Sequence, residues 1–96
     1  AEDGSAVGSL MLGLLYEAGA GVRQDPMVAF ALARLAALRS PATPRIVEIR
    51  DRLQRRLEPD QVREGERLSE RLGEPGQFFA TLAEVARLAQ LPRRQI

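Results

Sequence analysis

The sequence predicts an all-α fold: one domain of about five helices arranged as antiparallel pairs. Alanine, leucine and arginine contribute 14 residues each to a chain of 96, and all three favour helices. Proline and glycine divide the chain into five segments, most of which place apolar residues three and four positions apart. No stretch alternates with period two for long enough to predict a strand.

Three prolines mark predicted helix starts. They form the pairs Asp25-Pro26, Thr43-Pro44 and Glu58-Pro59. Proline is favoured at the first helical position, and a preceding Asp or Thr can accept hydrogen bonds from the free amides that follow. We therefore expect caps at Asp25 and Thr43.

Glycine and proline also mark the predicted helix ends, because glycine adopts the left-handed terminal conformation and proline cannot continue a helix. These signals are Gly19 with Gly21, Ser40-Pro41, Gly73 with Pro75, and Pro92. The predicted helices are Ala6 to Ala18, Pro26 to Arg39, Pro44 to Leu57, Pro59 to Leu72 and Gln77 to Leu91.

The first two predicted helices are almost free of charge. No charged residue lies from Ala6 to Tyr16, and from Met27 to Leu38 the only one is Arg34. Helices that are apolar on all sides are normally buried on all sides. We therefore expect both helices to form the core.

The other three helices have apolar faces at helical spacing, so each should bury one side. The third and fourth predicted helices carry seven charges each and have narrow stripes, whereas the fifth has a broad face. The residues are Ile46, Ile49, Leu53 and Leu57; Val62, Gly65, Leu68 and Leu72; and Phe78, Phe79, Leu82, Val85, Ala86 and Ala89.

In and around the segment that joins the first two helices, the positions of glycine, tyrosine and aspartate can be explained by helix packing. Gly13 costs about 1 kcal/mol inside a helix relative to alanine, which is tolerable where another backbone approaches closely. Tyr16 can pack its ring beside the partner helix. Gly19 and Gly21 can form the reversal, and Asp25 can cap the second helix. A tight antiparallel helix pair is therefore expected.

This segment resembles the Sel-one-like repeats, which are relatives of the tetratricopeptide repeats. The resemblance rests on Leu12-Gly13-x-x-Tyr16-x-x-Gly19-x-Gly21-Val22-x-x-Asp25, followed by Ala29 and Ala36-Ala37. It departs from the family at Leu32 and Ala33, where bulky aromatic residues are usual. It implies an α-solenoid fragment with one repeat in residues 1–44, charged capping helices in 45–73 and a last helix and tail in 74–96.

The same resemblance implies a non-catalytic adaptor that holds a protein or peptide. The absence of His, Cys and Lys removes the usual general base, thiolate nucleophile and Schiff-base amine, as well as the soft metal ligands. We expect no reaction, metal, cofactor or small-molecule substrate. Glu66 and Glu70 lie one turn apart, but arginines surround them. Tyr16 and Ser9 have no predicted base nearby.

The third and fourth helices contain a cluster of arginines that could contact nucleic-acid phosphates. Seven acidic residues are interleaved with these eight arginines, so the cluster is nearly neutral and a solvated ion-pair face is the favoured interpretation. Arg63 with Glu66 and Glu64 with Arg67 have the spacing of intrahelical pairs. The arginines are Arg45, Arg50, Arg52, Arg55, Arg56, Arg63, Arg67 and Arg71.

The candidate binding surface is predicted because the outer side of the first helix has no obvious helix to cover it. Only five residues precede the first predicted helix, so no earlier repeat in the given chain can shield its outer face. The fifth helix, a second copy of the chain or a partner's helix must do so. Core packing is the favoured role of the Phe78-Phe79 pair; the alternative is a surface lined by Met11, Leu14, Leu15, Phe78 and Phe79.

Two rival functions stay open: an oligomerisation domain that pairs through this face and, less favoured, a helical nucleic-acid binder. No segment is long and apolar enough to predict a transmembrane helix. Arginine-only basic usage is common in proteins from GC-rich bacterial genomes, so we expect a bacterial source, in either the cytoplasm or the periplasm.

Overall fold

The protein is all-helical in the computed structural model, which describes residues 2–90. Five helices follow one another: α1 (Glu2–Ala18), α2 (Pro26–Arg39), α3 (Pro44–Arg55), α4 (Pro59–Leu72) and α5 (Phe78–Gln90). The predicted all-α fold is therefore confirmed. α1 begins four residues earlier than predicted, α3 ends two residues earlier and α5 begins one residue later. The predicted last residue of α5, Leu91, lies outside the described residues.

The turn between α1 and α2 is built as its sequence predicts. Gly19 and Gly21 have φ angles of 73° and 79°, a left-handed backbone that glycine adopts at no steric cost. The Asp25 carboxylate then accepts hydrogen bonds from the amides of Met27 (3.1 Å) and Val28 (3.3 Å). The predicted cap of α2 is confirmed. Thr43 differs, since its side chain caps no amide of α3 and its hydroxyl bonds that of Ser40 instead.

α1 and α2 pack tightly as an antiparallel pair. A Cβ atom on Gly13 would lie 3.0 Å from the carbonyl oxygen of Ala29 and 3.3 Å from the Cβ of Leu32. Real Cβ atoms rarely approach this closely, so the missing side chain lets the two backbones come together. The predicted reason for Gly13 is confirmed.

α2 is the centre of the protein. It contacts α1, α3 and α4, and nine of its residues are buried. α4 runs in the same direction as α2, because Gly65 in the middle of α4 lies against Phe30 and Gly73 after its end lies against Leu35. Arg34, the single charge of α2, donates to the carbonyl oxygen of Glu66 and to the buried Ser69 hydroxyl.

The apolar stripes of α3 and α4 face this centre as predicted. Leu53 and Leu72 are almost fully buried, and Gly65 leaves the space that the Phe30 ring occupies. α5 packs mainly on α4 and adds Phe78, Leu82 and Val85 to the edge of the core. The core therefore sits around α2, with the other helices arranged about it.

The prediction that α1 is buried on all sides is wrong. Val7, Met11 and Leu15 are 49%, 60% and 41% exposed. The reason is geometric: α1 lies at the edge of the bundle, and within the part of the chain that the structure describes nothing covers its far side. Absence of charge made α1 and α2 look alike in sequence, but only α2 has neighbours all round.

Candidate functional site

The most distinctive surface of the protein is an apolar stripe on α1, which we call the outer face and define as Val7, Met11 and Leu15. The three side chains follow one another at intervals of four residues, so they line one side of the helix. Exposed apolar residues that stand singly are ordinary, whereas a contiguous group of them marks an interaction surface. The outer face is such a group.

The opposite side of α1 explains why this stripe points away from the protein. Ala6, Ser9, Gly13 and Tyr16 are buried and recur every three or four residues. They fix the side of α1 that packs on α2. Because a helix turns 100° per residue, Met11 lies on the far side from them.

A cavity of about 320 Å³ adjoins the outer face. Gly8 and Leu12 of its α1 wall each lie three residues before a member of the outer face, so they are its neighbours on the helix surface. Arg39, at the end of α2, also lines the cavity. Its complete lining is Gly8, Ser9, Leu12, Arg39, Phe78 and Phe79.

The two phenylalanines of α5 have different environments. Their rings meet edge to face, with centroids 5.2 Å apart and planes at 89°. Phe78 is half-buried and packs on the core, whereas Phe79 is 79% exposed. The prediction that this pair serves as core therefore holds for Phe78 and is wrong for Phe79, because α5 folds back onto α4 and turns Phe79 towards solvent.

The structure does not bring all five predicted site residues into one surface. Met11 and Leu15 belong to the outer face, and Phe78 and Phe79 line the adjoining cavity. Leu14 is half-buried and is not part of the cavity lining. α5 reaches the Gly8 and Leu12 side of α1 but leaves the outer face exposed.

Five residues of this region were not among the predicted site residues: Val7, Gly8, Ser9, Leu12 and Arg39. Val7 could have been found, because it lies one turn before Met11 on the same side of the predicted helix. Gly8 and Leu12 could have been found by the same helical spacing. Arg39 carried no such sign, since it reaches the cavity only through the packing of α2 and α5.

Tyr16 is 5% exposed and packs within the core next to the α1–α2 turn. Burial, and secondarily the nearby charge of Asp25, raise the pKa of the Tyr16 phenol above its usual value. The ring therefore keeps its proton and serves the packing of the helix pair. Ser9, the other hydroxyl considered in the sequence, is also buried on the α2 side.

Several arginines of α3 and α4 tie helices together. Arg52 and Arg56 both bind the Glu17 carboxylate at the end of α1, the latter at 2.9 Å, and Arg71 binds Glu84 of α5. The hydrogen bond from Arg52 is the main cause that lowers the pKa of Glu17 below its ordinary value. These three arginines pair with acids outside α3 and α4, whereas Arg50 with Asp51 and Arg63 with Asp60 pair with the interleaved acids as the sequence predicts.

Neither intrahelical pairing predicted above, Arg63 with Glu66 or Glu64 with Arg67, is among the ion pairs of the described residues. Arg63 binds Asp60, three residues before it, rather than Glu66, three residues after it. Both acids are within reach of an arginine on a helix surface. The backbone carbonyl of Glu66 accepts hydrogen bonds from Arg34 of α2 and from the Ser69 hydroxyl.

Three larger cavities lie elsewhere: two, of about 550 and 600 Å³, along α4, and one, of about 450 Å³, between Arg71 and the first half of α5. Charged side chains form much of the linings of the two along α4: Asp25, Glu64, Arg67 and Arg71 in the first, and Asp51, Arg55, Arg63 and Glu66 in the second. Apolar side chains also line the first of these cavities, among them Met27, Val28 and Leu68, whereas the outer face is the apolar stripe that α1 exposes to solvent. None of the helices searched within residues 2–90 has the length and apolar character that a membrane crossing requires.

No family model matches this chain, and comparisons with curated proteins and with solved structures also return no match. The resemblance to Sel-one-like repeats stays a prediction from the residues between Leu12 and Ala37.

Proposed function

We propose that the chain is a non-catalytic protein-interaction module, an adaptor or scaffold of a bacterial protein complex. The observation that carries the proposal is the exposed outer face of α1. Val7, Met11 and Leu15 present large apolar side chains to solvent at the edge of an otherwise well-buried bundle. Burial of such side chains against a partner would stabilise a complex.

The adjoining cavity adds to this surface. Phe79 stands at its edge with most of its ring exposed, and aromatic residues dominate the energetics of many interfaces. A partner that covered the outer face could insert a side chain between this ring and Leu12. The Sel-one-like resemblance, with its repeats that hold peptides or proteins, agrees with the same proposal.

The inventory of residues supports a role without chemistry. His, Cys and Lys are absent from all 96 positions. Tyr16 is fixed in the core, and the Glu17 carboxylate is bound by two arginines. We therefore propose no reaction, cofactor or metal for this surface.

The proposal is tested by capture of partners from a bacterial lysate on the immobilised chain. We expect Met11→Asp and Phe79→Asp each to reduce the captured protein at least about 10-fold, which corresponds to a loss of about 1.4 kcal/mol. Both side chains are exposed, so the fold should survive, and far-ultraviolet circular dichroism checks this.

The matched control is Leu38→Asp. Leu38 is 57% exposed, much like Met11, but it lies near the end of α2 and outside the cavity lining. This variant should capture as much protein as the original chain. Equal capture by all three variants would show that the outer face is not the docking surface.

A further inference from the structure

The last helix is attached to the rest of the protein by fewer buried contacts than the other four. We infer that α5 is a detachable helix, which opens as a unit about the linker 73–77 while α1–α4 stay folded. Opening uncovers apolar residues of α2 and α4 and removes one wall of the cavity beside the outer face. This motion is independent of whether the outer face binds a partner.

The burial of α5 is low along its length. Among its side chains that the structure describes, those of residues 78–87, only Thr81 is buried, whereas α2 buries nine residues. Phe78, Leu82 and Val85 reach the core but stay half-buried. α5 packs mainly on α4, and this contact is smaller than each of those that α2 makes with α1, α3 and α4. Because apolar burial is the main force that holds a helix in place, α5 is held least firmly.

The core is complete without α5. Every buried member of the main core cluster lies in α1–α4. The second cluster, which joins α1, α2 and α3 around Ile46, contains no residue of α5 within the described part of the chain. Opening of α5 therefore leaves the buried contacts among the other four helices in place.

Clefts lie on both sides of α5. One, of about 550 Å³, is lined by Val85 together with Met27, Val28 and Leu68. The cavity of about 320 Å³ beside the outer face has the two phenylalanines of α5 as a wall. Well-packed interiors leave few gaps of this size, so α5 does not interlock with the surfaces that it covers. When α5 opens, Met27, Val28 and Leu68 lose what cover Val85 gives them.

The linker between α4 and α5 can serve as the hinge. All five residues of 73–77 are exposed, so their backbone angles can change without disturbing a buried side chain. Gly76 has a φ angle of 75°, a conformation that other residues rarely adopt. The ion pair between Glu84 and Arg71 connects α5 to α4, but both side chains are well exposed, and such pairs contribute little.

Amide hydrogen exchange of the full chain, measured residue by residue by NMR, tests the inference. We expect the amides of residues 82–86 to have protection factors at least about 100-fold lower than the buried amides of α2. Opening as a unit gives these α5 amides one common protection factor. A low concentration of urea should lower it, because the motion exposes surface to solvent.

Two variants separate the opening of α5 from global unfolding. The contacts of Ile46 persist when α5 opens, so Ile46→Val should lower the protection of α2 about 5-fold and leave that of α5 unchanged within about 2-fold. The contacts of Leu82 are lost in both openings. Leu82→Ala should therefore lower the protection of α5 and of α2 alike, by about 10-fold.

Three results would overturn the inference. Equal protection of α5 and α2 in the original chain would mean that α5 does not open separately. An equal fall in both helices of Ile46→Val would mean that α5 exchanges only through global unfolding. Protection that changes from residue to residue along 82–86 and does not respond to urea would mean that α5 frays instead of opening as a unit.

Discussion

α1 and α2 have nearly the same character in sequence and opposite roles in the structure. Both are rich in alanine and leucine and almost free of charge. α2 is surrounded, since α1, α3 and α4 contact it and α5 adds side chains to the same core. α1 packs chiefly on α2 and exposes its outer face. An uncharged helix can be buried, but whether it is buried depends on the helices that pack against it.

The edge position of α1 is also what gives the protein an interaction surface. The apolar residues of a central helix such as α2 stabilise the fold, because all of its sides are covered. An edge helix with the same residues keeps one side free for a partner. The core and the proposed docking surface therefore arise from one type of sequence in two positions.

The largest effect is expected when the same substitution, leucine to alanine, is made in α2 and in α1. Leu32 of α2 is fully buried, whereas Leu15 of α1 is 41% exposed. We expect Leu32→Ala to lower the free energy of unfolding by about 2–5 kcal/mol and Leu15→Ala by less than about 1 kcal/mol. Urea denaturation at about 1 µM protein, where self-association contributes little, measures both. Similar losses would mean that the outer face is covered within the chain itself.

Much of the fold could be predicted because its causes are local. Pro26, Pro44 and Pro59 begin helices for reasons contained in two or three residues, and the cap at Asp25 is of the same kind. Gly13 was predictable because a glycine inside a helical segment has few explanations other than a close approach.

The remaining features could not be predicted because they depend on distant residues. The exposure of Met11 depends on where α5 packs, some 65 positions later in the sequence. Gly65 appeared only as a member of a stripe, and its fit to Phe30 becomes visible when α2 and α4 meet. Arg39 reaches the cavity through the same kind of long-range packing.

The second test compares a glycine that packs against a neighbouring helix with a glycine that has no neighbour. A Cβ atom on Gly65 would lie 2.4 Å from Cδ2 of Phe30, whose ring is fully buried and cannot move aside freely. We expect Gly65→Ala to cost about 1–3 kcal/mol through overpacking. Gly8→Ala is the matched control: it should stabilise α1 by about 0.5–1 kcal/mol, because its surroundings are open in the single chain. A stabilising Gly65→Ala would contradict the packing of α4 on α2.

The third test concerns the start of α2. Asp25→Ala removes the acceptor for the amides of Met27 and Val28 and should cost about 1 kcal/mol, whereas Asp25→Asn should preserve most of the cap. Thr43→Ala, at the corresponding position of α3, should cost less because Thr43 caps no amide there. Thermal unfolding compares the three variants at one pH. A larger loss for Thr43→Ala would contradict the difference between the two helix starts.

The smallest expected effect tests what holds the edge helix in place. Glu17 fixes the end of α1 to α3 through Arg52 and Arg56, and the hydrogen bond from Arg52 lowers its pKa below the ordinary 4.5. We expect Glu17→Gln to cost about 0.5–1 kcal/mol at pH 7. Asp60→Asn is the control, because the Asp60 side chain is 89% exposed in its pair with Arg63 and should matter less.

The pH dependence of the free energy of unfolding tests whether the charge of Glu17 is responsible. A carboxyl group whose pKa is lowered on folding stabilises the folded state at pH values above its unfolded pKa, and it loses that contribution as the pH falls through the folded pKa. The difference between the original chain and Glu17→Gln should therefore be full at pH 7 and shrink as the pH falls below about 4.5. Urea denaturation at several pH values and constant ionic strength measures it. A difference that stays constant down to pH 2 would show that the contribution of Glu17 does not depend on its charge, and therefore not on its ion pairs with Arg52 and Arg56.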